Sequence, residues 1–126
     1  MHRNLIWILV FSLLGSLCQA HEMTPAYPKL KPSYVEKVSV TTLKLFNRRE
    51  DVNYYEIEVF TGEWKPVPFA TKSKVIKVNL NKTKSFDVYI RSVDIKKVVY
   101  ICTVSKLHPG KKQITLVSSR ICSKIK

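Results

Sequence analysis

Side chains that could carry out acid–base or nucleophilic chemistry are few in this sequence. Glu56 and Glu58 form a carboxylate pair, but they alternate with apolar residues in Tyr55-Glu-Ile-Glu-Val59, which places both on the solvent face of a strand. The sequence also has no Gly-rich phosphate loop, no nucleophile elbow and no zinc-ligand spacing. It therefore predicts a protein that is not an enzyme.

Two histidines are candidate metal ligands if the chain is cut after Ala20. His21 would then be the N-terminus and offer an amine and an imidazole together, and His108 would add a third nitrogen. Imidazole nitrogens suit copper, and the set resembles the copper histidine brace of CopC-like carriers and oxidative polysaccharide-cleaving enzymes. Because His108 precedes Pro-Gly, a simple turn residue is the competing interpretation. Copper is the cofactor of an alternative hypothesis, and the main hypothesis has no cofactor.

The first twenty residues have the pattern of a secretory signal peptide. An apolar run from Leu5 to Leu17 is followed by Cys18-Gln-Ala20, with small residues placed for cleavage after Ala20. An uncleaved membrane anchor would need roughly 20 apolar residues, more than this run supplies. We therefore expect a signal peptide over 1–20, one exported domain over 21–126 in the periplasm or secreted, and no membrane span in the mature chain.

The charge of the chain is strongly positive. The full sequence carries +13, and removal of residues 1–20 takes away only Arg3 among the charged residues. Beyond Asp94 there are eight Lys or Arg and no acidic residue. Such a balance favours acidic partners, either a protein or an anionic surface, although it could also serve only solubility. Export makes nucleic acid a poor candidate.

Both cysteines of the mature chain fall in one predicted hairpin. Lys97–Val104 and Gln113–Cys122 flank a turn at His108-Pro-Gly-Lys111, and they contain Cys102 and Cys122. Disulfides persist in exported proteins, so a bond between the two is expected. A tight turn at Pro109-Gly110 would place Cys102 opposite Val117 or Ser118, so the bond requires a wider loop or a bulge.

Short alternating segments dominate the rest of the sequence. We predict strands over 38–46, 55–59, 75–80 and 86–91, a Pro-rich edge strand or arm over 21–32, and a crossing or edge segment over 64–69. No segment has the helical apolar period. About seven short strands in one domain indicate an all-β, immunoglobulin-like β-sandwich. Its predicted core is Leu43, Leu45, Ile57, Val59, Ile76, Val78, Val88, Ile90, Val99, Ile101, Leu116 and Ile121.

The order of these segments resembles the N-terminal domain of PapD-like periplasmic chaperones. The likeness rests on the Pro-bearing first strand, Val40-Thr-Thr-Leu-Lys-Leu-Phe-Asn47, Tyr55-Glu-Ile-Glu-Val59, Val67-Pro-Phe69 and Gln113-Ile-Thr-Leu-Val117. That family implies pairing of a terminal strand with an incomplete partner protein. Two departures are that the sequence stops at Lys126, where the family continues into a second domain, and that Ser118-Ser119 interrupts the apolar alternation.

The resemblance also implies which residues would bind a partner. Ile114 and Leu116 would be the apolar side chains of the pairing strand. Arg120 or Lys124 would be a cation for a partner's terminal carboxylate, with Lys29 or Lys31 as a second. We therefore expect an exported, non-enzymatic binding module, of which the resemblance makes a single-domain PapD-like chaperone one form, with a copper protein as the alternative.

Overall fold

The computed structural model describes residues 21–106 and 118–126, which form strands and no helix. The predicted all-β sandwich is confirmed, with two four-stranded sheets. The strands are β1 Glu22–Thr24, β2 Lys31–Pro32, β3 Val38–Phe46, β4 Tyr54–Phe60, β5 Val75–Lys77, β6 Thr83–Arg91, β7 Tyr100–Lys106 and β8 Arg120–Lys124.

The first sheet is built around β3. Strand β6 pairs with β3 along its whole length, from Val38 opposite Arg91 to Phe46 opposite Thr83. Strands β1 and β2 share the other edge of β3. Alternation within β3 directs Leu43 and Leu45 inward, and both are fully buried.

The second sheet has the order β5-β4-β7-β8, with antiparallel neighbours. Cys102 lies directly opposite Cys122, and their sulfur atoms are bonded. The expected disulfide is therefore confirmed, in a register different from the one that a tight turn at Pro109-Gly110 would give. The expected turn at His108 lies outside the described residues.

The N-terminal segment changes sheets. It pairs with β3 through β1, and beyond the cis Thr24–Pro25 peptide it runs beside the end of β8, where the Lys124 and Lys126 N–H groups donate to the carbonyls of Ala26 and Pro28. It then returns to β3 as β2. The predicted edge strand or arm thus closes one side of the sandwich.

The crossing segment predicted over 64–69 closes part of the other side of the sandwich. Pro66 forms a bridge with Phe60 of β4, and Ala70 forms one with Tyr89 of β6. The segment then enters β5, so it touches both sheets. This confirms the prediction of a crossing or edge segment.

The core lies between the sheets and contains nine of the twelve predicted residues, with Val99 and Ile121 only partly buried. Leu116 lies outside the described residues. Met23, Val52, Val67 and Val98 are further core residues from loops and from the short strand β1. Strand pattern alone does not identify such positions.

Three predicted strand bounds are corrected. The strand predicted over 75–80 ends at Lys77, because the chain turns at Asn79–Lys82 and leaves Leu80 exposed. The strand predicted from Lys97 begins at Tyr100, because hydrogen-bonded turns occupy the residues around Asp94. Within its described part, the predicted 113–122 strand begins at Arg120.

Candidate partner-binding edge on strand β8

Strand β8 lies at the edge of the second sheet and pairs with β7 on one side only. The Ser105 N–H donates to the carbonyl of Ser119 at 2.9 Å, so these two residues form a hydrogen-bonded pair of the antiparallel ladder. Hydrogen-bonded and non-hydrogen-bonded pairs alternate along such a ladder. The backbone groups of Arg120, Cys122 and Lys124 therefore point away from β7.

Only the C-terminal end of this outward side is occupied within the described chain. The Lys124 N–H donates to the carbonyl of Ala26 at 3.0 Å, and the Ser123 hydroxyl donates to the carbonyl of Pro25 at 2.8 Å. Among residues 21–106 and 118–126, no backbone group bonds to the outward N–H groups of Arg120 and Cys122. We call this stretch the open β8 edge.

The Arg120 side chain lies on the outer face of the sheet beside the open β8 edge. Its guanidinium is 3.2 Å from a carboxylate oxygen of Glu58 and 5.3 Å from the ring centroid of Phe60. It also borders a cavity of about 630 Å³ lined in part by Phe69 and Lys74. Half of the Arg120 side chain remains exposed to solvent.

The other predicted partner residues that the structure describes lie on β8 and on the N-terminal segment. Lys124, at the far end of β8 from Arg120, is exposed. Lys29 follows Pro28, which accepts the Lys126 N–H, so Lys29 lies beside the end of β8. Lys29 and Lys31 line a separate cavity of about 410 Å³. Ile114 and Leu116 lie outside the described residues.

A buried polar cluster fixes the N-terminal segment under this edge. His21 is 1% exposed; its Nε2 lies 2.9 Å from Thr103 Oγ1, and its Nδ1 lies 3.2 Å from Ser119 Oγ. Its ring centroid is 4.5 Å from that of Tyr55. Burial lowers the pKa of His21 to about 4, and the nearby Arg49 charge acts in the same direction. The cluster therefore holds a neutral imidazole between β7 and the start of β8.

The copper hypothesis concerns this same histidine. His21 is enclosed with both ring nitrogens near hydroxyl groups, while His108 lies outside the described residues. In the described part of the chain, no group of three or more His, Cys, Asp or Glu is arranged to hold a metal ion. Copper binding by His21 and His108 stays a prediction.

The two strand carboxylates considered in the sequence analysis form ion pairs on the outer face. Glu56 is 2.8 Å from the Lys106 ammonium, and Glu58 is 3.2 Å from Arg120. Each thus has a basic partner on a neighbouring part of its own sheet.

Two features of the structure could not be predicted from the sequence. One is the burial of His21, which depends on Thr103, 82 residues away. The other is a lysine-rich groove beside β5 and β6. Its only sequence signal is a run from Lys65 to Lys84 with six lysines and no acidic residue.

The arrangement of the two sheets is that of PapD-like periplasmic chaperones, so the resemblance drawn from the sequence is confirmed at the level of fold. The Escherichia coli chaperone DraB matches with a TM-score of 0.62 and 16% identity, over 85% of this chain and 53% of DraB. The periplasmic chaperone SfaE matches with a TM-score of 0.50 and 10% identity, over 85% of this chain and 56% of SfaE.

The chain spans about half the length of these two chaperones. At such identities the likeness establishes the fold alone, because one fold can carry unrelated functions. No protein-family model matches the sequence, and a search of curated proteins found no match. Within 21–106 and 118–126, no helix is long and apolar enough to cross a membrane.

Proposed function

We propose that this protein is an exported, non-enzymatic binding module that pairs its open β8 edge with an extended segment of a partner protein. In this proposal it acts as a chaperone of the PapD-like type. The observation that carries the proposal is the pair of outward N–H groups at Arg120 and Cys122, without a backbone partner in the described chain. An exposed strand edge is a template for an added strand.

The side chains beside this edge support a partner that carries negative charge. Arg120 and Lys124 lie on one face of β8 and are exposed. A partner's terminal carboxylate could displace Glu58 from Arg120, exchanging one solvated ion pair for another at little cost. Ile114 and Leu116, the predicted apolar contacts, precede β8 in sequence and would extend the pairing strand.

Export is supported by two independent features. The first twenty residues carry the signal-peptide pattern, and Cys102 and Cys122 form a disulfide. Such bonds persist in oxidising compartments. Both matched chaperones share the fold, and SfaE is described as periplasmic.

The test is recovery of a partner from the exported fraction with the mature protein as bait. Leu116→Asp together with Arg120→Glu should abolish recovery, because these changes place charge in the apolar contact and reverse the carboxylate-binding cation. Lys82→Glu with Lys96→Glu is a control of similar charge change on exposed residues that lie outside β8 and do not line the cavity beside Arg120. It should recover the partner normally.

Hydrogen exchange of the recovered complex then locates the contact. The Arg120 and Cys122 amides should exchange more slowly in the complex than in the free protein. The β8 proposal fails if a partner is retained by the Leu116→Asp, Arg120→Glu variant, or if these amides exchange equally fast in both states. Binding to anionic vesicles without protection of these amides would also reject strand pairing, in favour of an anionic surface.

A further inference from the structure

A second open strand edge lies on the side of the sandwich formed by β5 and β6. The Asn47 N–H donates to the carbonyl of Lys82 at 3.1 Å, so these two residues form a hydrogen-bonded pair at the end of the ladder between β3 and β6. By alternation, the backbone groups of Ser85, Asp87 and Tyr89 point away from β3. Strand β6 therefore presents a row of donors and acceptors toward this side.

The crossing segment covers only one end of that row. Ala70 and Tyr89 exchange two backbone hydrogen bonds, at 3.0 and 2.9 Å. Continuing this ladder would pair Lys72 with Asp87, but the chain turns away to the second sheet, where the carbonyl of Lys74 accepts a bond from β4. Across the described ranges 21–106 and 118–126, no backbone bond reaches the outward groups of Ser85 and Asp87.

A groove of about 470 Å³ separates this edge from β5. Its apolar lining includes Ile76 and Phe86, which belong to the core and are almost completely buried. The groove therefore reaches the gap between the sheets, and its volume suits one or two side chains of an added strand. We call it the β5–β6 groove.

The charged lining of the β5–β6 groove is predominantly basic. Lys72, Lys77 and Lys84 line it, and none of the three forms an ion pair within the described part of the chain. The one acidic residue in the lining, Asp87, accepts a hydrogen bond from Thr42. A carboxylate-bearing ligand would meet three available ammonium groups here.

We propose that the β5–β6 groove binds an extended acidic segment of a protein, which adds to β6 as a strand. Backbone groups of the segment would bond to Ser85 and Asp87, an apolar side chain would contact Ile76 and Phe86, and flanking carboxylates would meet the lysines. The open backbone row selects a peptide over other polyanions, since only a peptide matches both donors and acceptors at strand spacing. This site is independent of the open β8 edge.

Lysines at a sheet edge can also serve only to prevent unwanted strand pairing. If that is their role, no peptide should bind saturably. The experiment therefore distinguishes saturable peptide binding from its absence.

The test uses a blocked synthetic peptide of about nine residues, the length of a long strand, with Glu and Asp alternating with Val, Thr and Leu. Titration into the mature protein, followed by amide NMR, should show saturable shifts at Ser85 and Asp87 and slowed exchange of their amides. Lys77→Glu with Lys84→Glu should weaken binding roughly tenfold, because two favourable ion pairs become repulsive. Lys65→Glu with Lys96→Glu matches the charge change away from the groove and should leave affinity within about twofold.

A backbone variant separates strand addition from simple charge attraction. Ser85→Pro removes the outward N–H of an edge residue without removing a bond to β3, a position where proline is tolerated. It should weaken binding, whereas Ser85→Ala should not; circular dichroism and melting establish that both fold. Equal binding by the Lys77→Glu, Lys84→Glu variant would overturn the proposal. Displacement of the peptide by polyglutamate or by anionic vesicles, without protection of the Ser85 and Asp87 amides, would also overturn it. Binding of the peptide that does not saturate would do the same.

Discussion

Lowering the pH from 7 to 5 should destabilise the fold through protonation of His21. The imidazole is buried against Tyr55 with its nitrogens near Thr103 and Ser119, and its pKa is lowered from 6.5 to about 4. Between these two values the unfolded chain binds a proton that the folded chain does not. Stability from the neutral ring is therefore complete above pH 6.5 and is lost progressively as the pH falls toward 4.

The size of the effect follows from the pKa difference. Between pH 6.5 and about 4, each unit by which the pH falls removes about 1.4 kcal/mol of stability. At pH 5 the fold should therefore lose about 1 to 2 kcal/mol, after allowance for screening by nearby solvent. For a domain of this size the melting temperature should fall by about 5 to 10 °C. The ion pair of Asp51 with Arg49 lowers the pKa of Asp51, so it titrates below this window.

Thermal melting at several pH values, compared with the variant His21→Gln, measures this contribution. The variant keeps a polar side chain at position 21 but has no titrating ring. Its stability should depend less steeply on pH between 5 and 7. NMR titration of the ring should give a pKa for His21 well below that of a histidine in a peptide. Equal pH slopes in the two proteins, or a His21 pKa near 6.5, would refute the reasoning.

Two further predictions concern the covalent and polar supports of the fold. Replacing Cys102 and Cys122 by Ala opens a loop with a separation of 20 residues and should cost about 3 kcal/mol in a denaturant titration; a loss below about 1 kcal/mol would contradict it. Asn47→Ala removes a fully buried amide that donates to the carbonyls of Val52 and Val78 and should cost about 3 kcal/mol. The exposed Asn79→Ala is its control and should change stability by less than about 0.5 kcal/mol.

The strands with strict alternation could be predicted from the sequence because burial of one face is a local property. Tyr55–Val59 and Phe86–Arg91 both lie inside observed strands with the predicted faces inward. The strand predicted to end at Leu80 was too long, because a turn that depends on contacts between Asn47 and residues 79–82 ends the pairing. Local pattern does not contain that long-range constraint.

The two proposed binding surfaces were harder to predict, because each depends on backbone groups that have no hydrogen-bond partner in the described chain. The open β8 edge depends on which pairs of β7 and β8 are hydrogen-bonded and on where the N-terminal segment leaves β8. Neither can be predicted from the residue types. The β5–β6 groove depends on the crossing segment leaving β6 after Ala70. The basic residues beside both surfaces were evident, but only the structure distinguishes a lysine beside an open edge from one on a covered face.

The disulfide could be predicted from the sequence, but the register of the strands that carry it could not. Compartment and count identified Cys102 and Cys122 as partners, whereas a tight turn would have separated them by several positions. The observed register, with the two directly opposite each other, differs from the one that a tight turn at Pro109-Gly110 would give. A turn motif in the sequence therefore does not determine the register of the hairpin that contains it.

The openness of the β8 edge is tested most directly by amide hydrogen exchange in the free mature protein. Ile121 and Ser123 lie in pairs that bond to β7, whereas the Arg120 and Cys122 amides point outward. Exchange should be slow at Ile121 and Ser123 and fast at Arg120 and Cys122. Equally slow exchange at all four would show that another part of the chain already covers the edge, which would contradict the proposed binding site.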